Sequence, residues 1–316
     1  MSFKKRIVGV IGLGHVGAHV AFNLGVLGIA DEVKLCDVNH DKLVSERQDF
    51  MDAVMFMPHR VNYTIASYEE LADCDVIVNA IGDIKLCASG NRDDEMHFTV
   101  PQVADYIPKV MAGGFKGIII NITNPCDVIT DLIAKKSGLP KGHVFGTGTG
   151  LDSSRLVSAI SQQTGLDHHS FSAYMMGEHG NSQIVPWSLI HFGGKPLAEL
   201  EENPNYVFDK DKVQEQTIKA GWVTYSGKGC TEYGIANTAA FMVDAIVRDE
   251  KVILPATMEL DGEYGETGLF AGVPCLIGKD GVEKVIEIPL TEEEKKTFHE
   301  CCEGIRKNQE HLKDIP

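Results

Sequence analysis

Apolar residues in the first half of the chain fall in short, nearly unbroken runs. These are Arg6–Ile11, Val33–Cys36, Val76–Asn79, Gly117–Asn121 and Val144–Phe145. Each is largely apolar on both faces, as strands of a parallel sheet covered by helices should be. Helical patterns separate them near His15–Leu27, Asp41–Met55, Val103–Met111 and Cys126–Lys136. This alternation predicts an α/β fold with a Rossmann-type doubly wound parallel sheet.

The pattern changes from about Ser170. Strand-like runs appear at Phe171–Met176, Val252–Met258, Gly272–Ile277 and Val285–Ile288, with long helical stretches at Asp209–Tyr225 and Tyr233–Arg248. A charged helix, Thr291–Leu312, closes the chain, and a helix near Leu151–Gln163 joins the halves. The expectation is a dinucleotide-binding Rossmann domain over 1–147, followed by a mixed α+β substrate domain over 148–316. A chain of 316 residues favours two such units over one.

Composition narrows the partners. A net charge of −16 repels nucleic acid and anionic membranes, so neither is expected as a partner. No stretch approaches a membrane span. The eight cysteines include no CxxC pair, so zinc and thioredoxin-like sites are not expected, and no metal is assigned. Scattered single cysteines suit a reducing compartment, and a cytoplasmic location is expected.

Gly12-Leu13-Gly14-His15-Val16-Gly17 supplies a GxGxxG string. It follows a strand and opens a helix, which aims backbone N–H groups and the helix dipole at a pyrophosphate. Gly12 permits the tight turn, Gly14 lets the backbone approach the phosphates, and Gly17 allows close helix–strand packing. Asp37 ends the second strand about 20 residues beyond Gly17, where a carboxylate accepts bonds from the ribose diol of NAD and repels the 2′-phosphate of NADP. The cofactor expected is therefore NAD.

Three further segments stand out: Asn121-Ile122-Thr123-Asn124-Pro125, Gly148-Thr149-Gly150-Leu151-Asp152-Ser153-Ser154-Arg155, and Gly177-Glu178-His179-Gly180-Asn181-Ser182. Singly, each has a plain explanation: a helix start with proline in its first turn, a surface ion pair three residues apart, and a hydrogen-bonded structural histidine. Together, after a dinucleotide site, they resemble the L-lactate/malate dehydrogenase family over nearly the whole chain. The order and spacing of motifs and the Lys228-Gly229-Cys230-Thr231 segment carry that resemblance. Within the family the chain looks closest to L-2-hydroxyisocaproate dehydrogenases, through Gly82-Asp83-Ile84-Lys85-Leu86 and through Asn181 and Gln183, where most members would carry Asp and Glu.

The resemblance implies reversible hydride transfer between NADH and a 2-keto acid. His179 would move the proton, a task suited to imidazole near neutral pH. Asp152 would orient His179 and stabilise imidazolium, as in a catalytic triad. Arg155 would fork onto the substrate carboxylate, and Arg92, on a closing lid, would polarise the carbonyl. Asn124 would bond the substrate oxygen or the nicotinamide, behind a cis Asn124–Pro125 bond. Thr231 and Ile235 would wall the pocket, and Gly82 would join the glycines, His15 and Val16 at the cofactor.

Malate dehydrogenases would carry a lid arginine five or six positions before the catalytic one. Here those positions are Cys87 and Leu86, which disfavours a dicarboxylate and suits pyruvate or a larger apolar side chain. Val157 and Ser172 stand where a basic pair would bind fructose 1,6-bisphosphate, which argues against that effector. A homo-oligomer, tetramer or dimer, is also implied. The alternatives are L-lactate dehydrogenase proper, an NAD-dependent glycosidase with a metal near Cys126, and a non-catalytic NAD-binding protein.

Overall fold

A computed structural model of the chain describes residues 4–83, 85–86, 95–180 and 182–312. Cys87, Arg92 and Asn181 lie outside these residues. The first half alternates β1 (Ile7–Ile11), α1 (His15–Val26), β2 (Glu32–Cys36), α2 (His40–Ala53), β3 (Asn62–Ile65), β4 (Val76–Asn79), α3 (Met96–Ala112), β5 (Ile118–Asn121), α4 (Cys126–Ser137) and β6 (Val144–Gly146). The six strands pair in parallel in the order β3-β2-β1-β4-β5-β6. This is the doubly wound arrangement, whose ligand crevice opens beyond the carboxyl ends of β1 and β4. Every residue of β4 and β5 is buried, which is why these strands read as continuous apolar runs.

The second half contains α5 (Gly150–Thr164), β7 (Phe171–Ser172), β8 (His191–Phe192), β9 (Lys195–Pro196), α6 (Leu197–Glu201), α7 (Lys210–Lys228), α8 (Tyr233–Val247), β10 (Val252–Asp261), β11 (Thr267–Gly278), β12 (Gly281–Val285) and α9 (Glu292–His311). Strands β7–β9 form a small antiparallel sheet. The longer β10–β12 instead extend the first sheet, because β10 pairs antiparallel with β6 at Thr257↔Gly146. One nine-stranded sheet therefore runs through both halves. Its core is also shared: Leu24 of α1, Val243 of α8 and Val273 of β11 belong to one buried cluster. The alanines Ala236, Ala239 and Ala240 give α8 a small-residue face on α1, where Asn23 Nδ2 donates to Asn237 Oδ1 at 2.8 Å.

Several sequence expectations need correction. β3 went unread because it is an edge strand with half its positions exposed, so no continuous apolar run marks it. α3 begins at Met96, not Val103, and carries Pro101 and Pro108 inside it; a proline looks like a helix boundary because it removes one ladder N–H. The run at Phe171–Met176 is strand only over β7, after which Met176 makes an isolated bridge to Ile184. The run at Val285–Ile288 is displaced, since β12 ends at Val285.

Among the described residues no helix is long and apolar enough to cross a membrane. The described cysteines are all free and buried.

Candidate active site

The glycine turn joins β1 to α1 at the switch point of the sheet. Gly12 holds φ +88°, the left-handed region that glycine enters without strain, and a Cβ there would lie 2.8 Å from the Ala80 carbonyl oxygen. A Cβ on Gly17 would sit 1.8 Å from the Gly12 carbonyl oxygen, so only glycine lets α1 start this close to the strand. At Gly14 a Cβ would meet nothing within 4 Å. Its bare face is turned to the space where a pyrophosphate would approach the first turn of α1. His15 and Val16 follow in that first turn.

Asp37 stands just past β2. Its Oδ2 accepts the Leu13 N–H at 2.6 Å and its Oδ1 accepts the Asn39 N–H at 2.7 Å, which fixes the carboxylate beside the turn. Gly82 lies beyond the end of β4, where a Cβ would crowd Glu95 Oε1 at 2.9 Å. Glu95 is buried, and that oxygen accepts the Asp83 N–H at 2.7 Å, so its carboxylate fixes the backbone that follows β4.

Beyond β5, a buried network sets the Asn124 loop. Asn79 Nδ2 donates to Asn121 Oδ1 at 2.8 Å and to Thr123 Oγ1 at 3.0 Å, and Thr123 Oγ1 donates to the Ile81 carbonyl at 2.7 Å. The Asn124–Pro125 peptide is cis, as expected. Asn124 Oδ1 is buried and has no hydrogen-bond partner. Buried polar atoms are normally paired, so this one is placed to meet a bound molecule. The bare face of Gly14, the anchored Asp37 carboxylate and this orphan oxygen together fit a bound dinucleotide.

Three predicted groups meet directly. Asp152, in the first turn of α5, is fully buried; its Oδ2 lies 2.7 Å from His179 Nδ1 and its Oδ1 2.9 Å from Arg155 Nη1. A carboxylate can only accept, so Nδ1 carries the proton and Nε2 is the ring nitrogen left for proton exchange. The His179 side chain is 13% exposed and that of Arg155 12%. Such limited contact with water strengthens charge–charge interaction at both.

The loop bearing His179 is pinned from three sides. Gly177 exchanges both backbone bonds with Gly272 of β11 at 2.8 Å. The Glu178 N–H donates to Cys301 Sγ on α9 at 3.0 Å. The His179 N–H donates to Asp127 Oδ2 at 2.8 Å, and Asp127 Oδ1 accepts the Thr257 hydroxyl at 2.5 Å. Asp127 sits in the first turn of α4, wholly buried, and burial pushes its carboxyl up to about 7 against the opposing pull of Thr257 and His179. Sequence reading missed Asp127. Its one local signal is a carboxylate in the first turn of an otherwise apolar helix, which also reads as a dipole partner.

Of the remaining candidates, Thr231 lies in the turn after α7, partly buried, and Ile235 is buried in the first turn of α8. Leu86 is 41% exposed. Arg92 and Cys87 fall outside the described residues.

Comparison with known proteins accords with this geometry. The family described as lactate/malate dehydrogenase, NAD binding domain, matches residues 6–146, and its alpha/beta C-terminal domain matches residues 149–315. An L-lactate dehydrogenase of Fusobacterium nucleatum is 38% identical over 307 residues, covering 96% of each chain. The ligand-bound crystal structure of the minor L-lactate dehydrogenase from Enterococcus mundtii superposes with a TM-score of 0.92 at 32% identity, over 97% of this chain and 98% of that one. Cryptosporidium parvum malate dehydrogenase gives a TM-score of 0.92 at 27% identity, over 99% and 100%.

Proposed function

The chain belongs to the lactate/malate dehydrogenase family of NAD-dependent oxidoreductases, and we propose that its own reaction is the reversible reduction of a 2-keto monocarboxylic acid with an apolar side chain, pyruvate or a larger 2-ketoisocaproate-like acid, to the L-2-hydroxy acid. The observation that carries the chemistry is the bonded set of Asp152 with His179 and Arg155. NAD, when bound, supplies the hydride acceptor or donor; Gly12, Gly14, His15, Val16, Gly17, Asp37, Gly82 and Asn124 would hold it.

The chain's own groups handle the proton and the carboxylate. Asp152 holds the Nδ1 proton of His179, which leaves Nε2 to give a proton to the developing alkoxide or take it from the alcohol. The buried Asp152 charge then faces an imidazolium at 2.7 Å, which stabilises that form. Arg155 shares one guanidinium nitrogen with Asp152, which orients the planar fork toward a substrate carboxylate. Arg92 would polarise the carbonyl as the lid closes, and Thr231 and Ile235 would wall the side chain.

Substrate choice rests on the lid. Leu86 and Cys87 occupy the chain positions at which, by the family resemblance, a dicarboxylate-specific enzyme would carry a cation. Plain L-lactate dehydrogenase is the second reading, favoured by the L-lactate dehydrogenase names of the relatives. The two-domain division at 147/148, the cytoplasmic location and the homo-oligomer belong to the same proposal; Met55 and Phe56, 82% and 85% exposed after α2, support a covering partner.

NADH oxidation across pyruvate, oxaloacetate, 2-ketoisocaproate and phenylpyruvate tests this reading. Oxaloacetate should be the poorest substrate, and Cys87→Arg or Leu86→Arg should raise its rate relative to pyruvate. Preference for oxaloacetate in the unmodified enzyme would overturn the lid argument.

A further inference from the structure

Beside the glycine turn, side chains from two distant segments converge. His15 Nδ1 in the first turn of α1 lies 3.4 Å from Glu232 Oε2, and Cys230 Sγ lies 3.8 Å from the same oxygen. The three ligand atoms all fall within 4.8 Å of one another. Cys230 and Glu232 are buried, while the His15 ring is 74% exposed and gives access from solvent. We propose that His15, Cys230 and Glu232 form a binding site for a zinc-class divalent cation that staples α1 to the turn between α7 and α8.

The donor set is the reason for the metal class. Imidazole, thiolate and carboxylate together suit zinc, and three protein ligands leave a fourth position for water. The two distances to the carboxylate oxygen agree as well. Tetrahedral zinc with ordinary bond lengths separates a nitrogen from an oxygen ligand by about 3.3 Å, and a sulfur from an oxygen by about 3.5 Å. The observed 3.4 and 3.8 Å need only a small contraction.

The surroundings hold the ligands in place. Lys228 Nζ pairs with the other carboxylate oxygen, Oε1, which leaves Oε2 turned to His15 and Cys230, with His19 Nδ1 also 3.5 Å from it. The Lys228 ammonium also lies over the Tyr233 ring at 3.8 Å, which limits its reach. His19 Nδ1 bonds the His15 carbonyl at 2.7 Å and fixes the backbone that carries the first ligand. Outer partners of this kind orient metal ligands. On binding, the thiol proton leaves to solvent and the thiolate takes the metal, with no change of oxidation state. The ion would then tie the turn preceding Thr231 to the glycine turn, across the two halves of the chain. Sequence reading found no metal site because its ligands share no short spacing: His15 stands far from Cys230 and Glu232.

Cobalt(II) titration of the full-length protein tests the site, since thiolate coordination produces a charge-transfer band in the near ultraviolet that zinc abolishes by displacement. The unmodified protein should show this band and gain thermal stability with zinc. Cys230→Ser should lose the band, and Glu232→Gln should weaken cobalt binding by about tenfold or more. If Cys230→Ser fails to fold, His15→Ala, at an exposed ring, should weaken binding to a similar degree. A band that persists in Cys230→Ser, cobalt affinity unchanged in His15→Ala, or no band in the unmodified protein would each overturn the proposal.

Discussion

The glycine turn and the histidine loop do their work by opposite means. The turn between β1 and α1 is made from a handful of contiguous residues, and what matters is the side chain each glycine lacks. The His179 loop is made of side chains and backbone groups gathered from α4, α5, β10, β11 and α9, none of which lies beside it in the chain. The partners that pin it are separated from it, or from one another, by 52, 123 and 130 positions. The turn is thus a local conformation stamped on the sequence. The loop is a consequence of the whole fold being correct.

The largest expected effect falls on the loop. His179→Ala should lower turnover by roughly 10²–10⁴, the usual worth of a positioned acid–base group, while NADH binding followed by fluorescence stays nearly unchanged. Wild-type turnover in that variant would remove the functional half of the comparison.

The turn should respond in stability and binding. Gly17→Ala places a Cβ 1.8 Å from a carbonyl oxygen, and the required backbone shift should cost about 3 kcal/mol in a denaturant melt. Gly14→Ala adds a methyl into open space, so its melt should match the parent. Its NADH affinity should nonetheless fall by about tenfold, the equivalent of ~1.4 kcal/mol of lost approach. If Gly14→Ala binds NADH normally, that face of the turn does not hold the cofactor.

The gentlest perturbation sharpens the contrast, because it changes pH alone and reads long-range assembly as a pH dependence. Burial raises Asp127 to about 7 in the folded protein, above the ordinary value near 4. The folded state therefore holds this proton more tightly than the unfolded state. Its contribution to stability is fully present below pH about 4, declines as pH rises through about 7, and is level above that. The slope from this one group is at most ~1.4 kcal/mol per pH unit. Denaturant melts at several pH values should show Asp127→Asn with a flatter profile than the parent between those limits; identical profiles would mean that Asp127 keeps an ordinary carboxyl.

The same contrast explains what could be read in advance. Gly12, Gly14, Gly17 and Asp37 were legible because the turn's demands are met by neighbours in the chain. His179, Asp152 and Arg155 were legible as a family pattern, and two of the three sit one helical turn apart on α5. Asp127, Thr257 and Cys301 were not, since an acid, a hydroxyl and a thiol in apolar segments announce nothing until the fold brings them to one loop. β3 was invisible for a related reason: as an edge strand it needs only half its surface apolar. The metal-ligand group of His15, Cys230 and Glu232 is likewise a product of packing between α1 and the α7–α8 turn.

The seam where β10 joins β6 carries one more implication. The pairing Thr257↔Gly146 decides which face of the sheet the Thr257 hydroxyl occupies. Side chains alternate along a strand, so sliding β10 by a single residue would send that hydroxyl to the opposite face. Asp127 would lose its donor, and the backbone of His179 would rest on a carboxylate with one bond fewer. The alignment of the reacting histidine is in this sense a matter of counting: it is set by the register between two interior strands of the sheet, two hydrogen bonds removed from the histidine's backbone.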